Sequence, residues 1–134
     1  MTEEEAIKKL LSESKTIAVV GASPKPWRDS GRAVEFLRAR GYEVFPVNPA
    51  YVEVNGMPCF PDLRSIGKSV DIVNVFRNPD ELTPIVDDAI AMKAKILWLQ
   101  LGVVNATEQA RAESAGIQVI ADRCIMVDYR LLMS

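Results

Sequence analysis

The sequence predicts an α/β protein, a doubly wound, five-stranded and mainly parallel sheet with helices on both faces. Three observations lead there. The run Thr16 to Gly21 is β-branched without polar alternation, as a strand buried on both faces of a parallel sheet is, and four further strand-like runs follow it. Segments with apolar residues at helical spacing alternate with them, and capping residues and glycines punctuate the joints. At 134 residues the chain has the size of one domain, so the whole of 1–134 is expected to form one core.

The elements follow in order. Thr2 to Ser12 carries Ala6, Ile7, Leu10 and Leu11 on one face, with Thr2 and Glu5 spaced as a capping box. Thr16 to Gly21 is the first strand. Asp29 or Ser30 caps a helix to about Arg40, apolar at Ala33, Val34, Phe36 and Leu37 and ended by Gly41. Tyr42 to Val47 is the second strand. Residues Ala50 to Ser69, punctuated by Asn55-Gly56, Pro58 and Pro61, read as an irregular excursion with a short helix around Asp62 to Ile66. Val70 to Phe76 is the third strand. Asn78 and Glu81 open a helix with a stripe through Leu82, Ile85, Val86, Ala89 and Ile90, although Pro84 allows a start at Thr83. Lys95 to Leu99, a helix capped by Asn105 with Glu108 and ended by Gly116, strand Ile117 to Ala121, and a closing helix from Cys124 to Met133 complete the alternation.

Composition excludes several classes of function. Hydrophobic residues make up 49% and charged residues 25%, which argues against disorder. The acidic Met1-Thr2-Glu3-Glu4-Glu5 start lacks the basic and apolar regions of a secretory signal, so a cytoplasmic location is expected. No apolar run approaches the roughly 20 residues that cross a bilayer, so no membrane partner is expected. A net charge of -2 provides no basic field for nucleic acid. The two cysteines, Cys59 and Cys124, form no CxxC and are read as free thiols. The sequence contains no histidine, which removes histidine triads, phosphohistidine chemistry and most zinc catalysis. Cys124 as a nucleophile would need a thiolate-stabilising neighbour of another kind.

In a sheet of this type ligands bind outside the carboxyl ends of the strands. After the first strand, Gly21, Ala22 and Ser23 allow close backbone approach, the next helix begins nearby, and Lys25 and Arg28 add positive charge. These features suit a phosphate, yet a tight strand-to-helix turn would look the same, since GxGxxG is incomplete. After the second strand, Val47-Asn48-Pro49 lacks the acid that an NAD ribose prefers, while Pro49 offers a flat surface for an adenine ring. Phe76 and Arg77 follow the third strand; Arg77 is either a crevice cation or a solvated surface charge. Gln100, Leu101 and Gly102 follow the fourth; Gln100 is either a ligand contact or a backbone cap.

Together, Val20 to Pro24, Tyr42 to Pro49, Val75-Phe76-Arg77, Leu97 to Gly102 and Asp122-Arg123-Cys124 resemble the stand-alone CoA-binding-domain proteins. These are similar to the CoA-binding module of the succinyl-CoA synthetase α subunit and share a Rossmann-like fold. The resemblance runs from about Thr16 to Cys124. It implies that Gly21, Ala22, Ser23, Arg28 and Ser30 hold the phosphates of coenzyme A and that Val47, Asn48 and Pro49 border its adenosine. It implies that Phe76, Arg77, Gln100, Leu101 and Gly102 line the path of the pantetheine arm. The ligase's phosphate-carrying histidine and its further domain have no counterpart in this sequence, so ligase activity is not implied. The expected ligand is CoA or an acyl-CoA, and the expected role is that of a non-catalytic carrier, sensor or partner of an acyl-CoA enzyme. An NAD-linked enzyme and a structural subunit with a vestigial crevice are the alternatives.

Overall fold

The computed structural model describes residues 1–133. Thr2 caps the first helix, α1 (Glu3–Glu13), by accepting the Glu5 amide at 3.1 Å and returning its hydroxyl to Glu5 Oε1 at 3.1 Å. That reciprocal pairing fixes the entry of a helix whose Ile7, Leu10 and Leu11 are buried. The chain continues through β1 (Thr16–Val20), α2 (Asp29–Ala39) and β2 (Glu43–Val47). Beyond the excursion lie β5 (Ile72–Val75), α3 (Leu82–Ala91), β6 (Ile96–Leu99), α4 (Ala106–Ser114), β7 (Gln118–Ile120) and α5 (Ile125–Leu132).

All pairings of the main sheet are parallel, and its order is β2-β1-β5-β6-β7. The apolar strands leave no solvated face. Ile17 and Val19 of β1 point to one side, where they meet α1, α2 and α5; Ala18 and Val20 point to the other, packed with α3 and α4. Fully burying a side chain such as Leu37 or Leu82 stabilises the fold by roughly 1.5 to 3 kcal/mol, so the two apolar layers hold the sheet from both faces. No helix among the described residues is long and apolar enough to cross a membrane.

The excursion holds more order than its punctuation suggests. Glu53–Val54 (β3) and Met57–Pro58 (β4) form an antiparallel hairpin. Asn55 and Gly56 both take positive φ, 52° and 80°, the geometry that tight hairpin turns select and that this dipeptide favours. Phe60 then makes a parallel bridge to Val47. Its amide donates to Pro46 O at 2.9 Å and its carbonyl accepts from Asn48 N at 2.8 Å. Phe60 is thus a one-residue sixth strand outside β2. The expected short helix around Asp62 to Ile66 is a 3₁₀ turn over Arg64–Ile66. The expected helix start after Asn78 splits likewise. Pro79–Glu81 is a 3₁₀ turn with both capping-box bonds of Asn78 and Glu81, and α3 proper begins at Leu82.

From β1 the chain thus moves outward through β2 to Phe60, then crosses back to β5 on the other side of β1. The strand order reverses between β1 and β5, and because all five strands are parallel their carboxyl ends share one rim. A doubly wound sheet opens its crevice at such a reversal.

Candidate functional site

Gly21 closes β1 at the reversal with φ of +88°. A Cβ there would lie 2.7 Å from the Phe76 carbonyl oxygen and 3.1 Å from Arg77 Cδ. Only glycine lets the loops after β1 and β5 meet. The amides of Gly21 and Ala22 both donate to Val47 O, at 2.8 and 3.3 Å, and Asn48 Nδ2 donates to Ala22 O at 2.9 Å. Asn48 Oδ1 also accepts the Ala50 amide at 2.9 Å. Both ends of the Asn48 carboxamide are therefore engaged within the protein, and they tie the first loop to the second.

The donors left open at this turn consequently lie further along the chain. Gly31 packs so closely under the loop that a Cβ would be 2.5 Å from Lys25 O and 2.8 Å from Ser23 O. That contact seats residues 23–28 over the first turn of α2, with Ser23 and Ser30 buried at its base and the Ser23 hydroxyl accepting the Lys25 amide at 3.1 Å. No side chain caps α2, whose first amides have no intrahelical acceptor. Arg28, exposed at the N-cap, makes no ion pair among the described residues; Arg32 is paired with Asp29. Lys25 lies 5.9 Å from the ring centre of Trp27, which is itself exposed.

Two clefts open along the rim. The first, about 350 Å³, is lined by Val20, Gly21, Val47 and Pro49 on the β1–β2 side and by Arg77, Pro84 and Ile85 on the α3 side, with Asp62 among its other walls. The second, about 410 Å³, is lined by Asp29 at the start of α2, Phe76, Arg77, Gln100, Leu101, Gly102 and Cys124. Arg77 borders both. Its guanidinium pairs with Glu81, whose other oxygen accepts the Asn78 amide at 3.2 Å, so the cation is anchored on the capping box of the 3₁₀ turn before α3. Arg77 is thus neither a free surface charge nor an unpaired crevice cation.

Gln100 combines the two roles that its sequence position leaves open. Its Oε1 accepts the Ile125 amide at 3.0 Å and so caps α5, while the residue also lines the second cleft. Gly102 is held by its amide, which donates to Asp122 Oδ1 at 2.8 Å. The expected residues therefore fall into three neighbouring groups: Ser23, Arg28 and Ser30 at the start of α2, Val47 and Pro49 in the first cleft, and Phe76 through Gly102 in the second. Sequence reasoning missed Asp62, Pro84 and Ile85, which reach the rim only through the folding of the excursion and α3. It also missed Asn74, whose polar side chain interrupts the apolar run of β5 and bonds to Gln100 at 3.2 Å. No group of three or more His, Cys, Asp or Glu among the described residues is placed to hold a metal ion.

A Rossmann-like sheet, a glycine-closed first turn at the strand reversal and an uncapped helix start beside the second cleft define a nucleotide-binding type of domain. The chain belongs to the CoA-binding-domain family, which matches residues 15–130. It is 38% identical to the protein YneT of Bacillus subtilis over 121 residues, 90% of either chain. A solved structure of a hypothetical protein from Pyrococcus horikoshii superimposes with a TM-score of 0.96 at 37% identity, covering 99% of this chain and 94% of that one. The ADP-forming acetate–CoA ligase I of Archaeoglobus fulgidus is 27% identical across 90% of this chain, a match that spans only 19% of the ligase. This chain is thus related to the CoA-binding part of acyl-CoA ligases.

Proposed function

We propose that the protein binds coenzyme A, or an acyl-CoA, along the carboxyl rim of its sheet, acting as a non-catalytic carrier, sensor or partner of an acyl-CoA enzyme. The observation that carries this reading is the continuity of the rim: two clefts that share Arg77, the second of them bordered by the uncapped start of α2. A diphosphate at the first amides of α2 would gain charge-assisted hydrogen bonds of about 1.5 to 3 kcal/mol each, with Arg28 as a free counter-ion. The adenosine suits the first cleft, where Val47 and Pro49 give apolar contact. The pantetheine arm suits the second, past Phe76 and Arg77 to Gln100, Leu101 and Gly102. Gly21 and Ala22 shape this passage rather than donate to it, since their amides are already bonded, and Asn48 holds the two loops together.

Isothermal titration with CoA, dephospho-CoA and NAD tests the proposal. Binding of CoA is expected, with NAD much weaker because Val47-Asn48-Pro49, at the end of β2, supplies no carboxylate and the Asn48 carboxamide is bonded to the protein at both its ends. Clear heat with NAD and none with CoA would overturn it.

A further inference from the structure

The Gln100 side chain has one end fixed and one end free. Its Oε1 receives two N–H donors, the Ile125 backbone amide at 3.0 Å and Asn74 Nδ2 at 3.2 Å. A backbone amide can only donate, so Oε1 must face α5 and Nε2 must face away from it. Asn74 is oriented by the same logic, because its Nδ2 also lies 3.4 Å from Trp98 O, which can only accept. Neither carboxamide can therefore be turned over without setting donor against donor or acceptor against acceptor. Gln100 is 6% exposed and lines the second cleft, yet its Nε2 has no acceptor among the described residues.

Asn74 adds a second, independent oddity. It is fully buried between Val73 and Val75 in a strand that is otherwise apolar, and its Oδ1 has no hydrogen-bond partner among the described residues. Burying an unsatisfied oxygen works against folding. A leucine would pack in the same space without that defect. What Asn74 provides in return is the bond that holds Gln100 in one orientation.

We infer that Gln100 Nε2 is the donor that reads an amide carbonyl on the arm of the bound ligand, and that Asn74 is its positioning residue. This rests on the proposal of CoA binding and adds the residue that recognises the arm. An arm of secondary amides on a flexible chain offers carbonyl oxygens; an alkyl chain of the same length offers none. A donor on Gln100, beside the apolar walls of Phe76, Leu101 and Val103 in the cleft that these residues line together, would select the first kind.

The test compares CoA with 3′,5′-ADP, a nucleotide without the arm, on wild type, Gln100→Glu and Asn74→Leu. Glu at 100 keeps an acceptor for Ile125 and Asn74 but turns an oxygen toward the ligand carbonyl. CoA affinity is expected to fall about tenfold with 3′,5′-ADP unchanged, the size of one lost hydrogen bond and one new repulsion. Asn74→Leu should weaken CoA about threefold, leave 3′,5′-ADP alone and keep a Tm at least equal to wild type. A merely structural Asn74 would instead lower Tm without changing the ratio of the two affinities. In ¹⁵N-labelled protein the Gln100 side-chain amide resonance should move on adding CoA and stay in place with 3′,5′-ADP. Wild type that binds CoA, with an unmoved resonance and an unchanged ratio in Gln100→Glu, overturns this inference alone. Wild type that binds no CoA overturns the site as well.

Discussion

The two rims of the sheet are built from the same strands and treated oppositely. At the amino rim polar groups close on one another. Asp71 Oδ2 accepts the amides of Lys15 at 2.7 Å and Thr16 at 3.2 Å, Lys95 Nζ lies 3.5 Å from Oδ1, and the Asp71 amide donates to Thr16 Oγ1 at 2.9 Å. At the carboxyl rim several groups stay open among the described residues: no side chain caps α2, Arg28 makes no ion pair and Gln100 Nε2 has no acceptor. The difference teaches that the rim which holds the strands together satisfies its donors internally, whereas the rim proposed to take the ligand keeps some without a protein acceptor. Substitutions at the two rims should therefore separate stability from binding.

Gly21 is the place where both meet, and it carries the largest expected effect. Gly21→Val forces a β-branched residue to positive φ and drives its Cβ into the Phe76 carbonyl. Strain and displaced backbone together should cost about 3 kcal/mol of unfolding free energy and abolish CoA binding. Denaturation with parallel titration checks this; a Gly21→Val protein of wild-type stability would break the picture of two loops meeting at the reversal.

Asp71 tests the amino rim alone. Asp71→Ala leaves the Lys15 and Thr16 amides without their acceptor and should cost about 2 kcal/mol, with CoA affinity unchanged. The same residue gives a pH dependence. Burial pushes the Asp71 carboxyl up, but the two amides and Lys95 outweigh it, so its net pKa lies below the ordinary 3.8. A depressed folded pKa means that the stabilisation is complete above pH 4 or so and is lost as pH falls through the folded value. Asp71→Asn should flatten that part of the acid unfolding curve; an acid limb identical to wild type would show that the clamp contributes nothing.

Most of this architecture is legible in the sequence because buried parallel strands declare themselves as apolar runs, and because Thr2, Asn105 and Gly41 mark helix ends by simple capping chemistry. The hairpin was harder: Asn55-Gly56 signals a turn, but two-residue strands such as Glu53–Val54 are too short to show alternation. Phe60 gives no local sign that it will extend the sheet, since its bridge depends on where the hairpin returns the chain. The positions of the candidate residues after the strands were legible, while their hydrogen-bond commitments were not. That Asn48 is bonded at both ends of its carboxamide, that Gly21 and Ala22 donate inward and that Gln100 caps α5 are consequences of loops meeting in space. Asn74 left a readable mark, a polar residue within Ile72-Val73-Asn74-Val75, whose partner lay a strand away.

The carboxyl rim is tested by its charges, with a smaller expected effect. Arg28→Ala removes a solvent-exposed cation, so the fold should be unaffected within a few tenths of a kcal/mol. If Arg28 pairs with the diphosphate, CoA affinity should fall about tenfold, the value of one charge-assisted contact discounted for solvent exposure. Phe76→Ala, which shortens apolar contact along the arm, should weaken CoA by less. Salt separates the two mechanisms: raising ionic strength should erode the difference between wild type and Arg28→Ala, because screening acts on the charge, and leave the Phe76→Ala difference in place. Titrations of the three proteins at low and high salt decide it. Equal losses, equally insensitive to salt, would mean that the arm and the adenine dominate and that the open end of α2 is not where the phosphates bind.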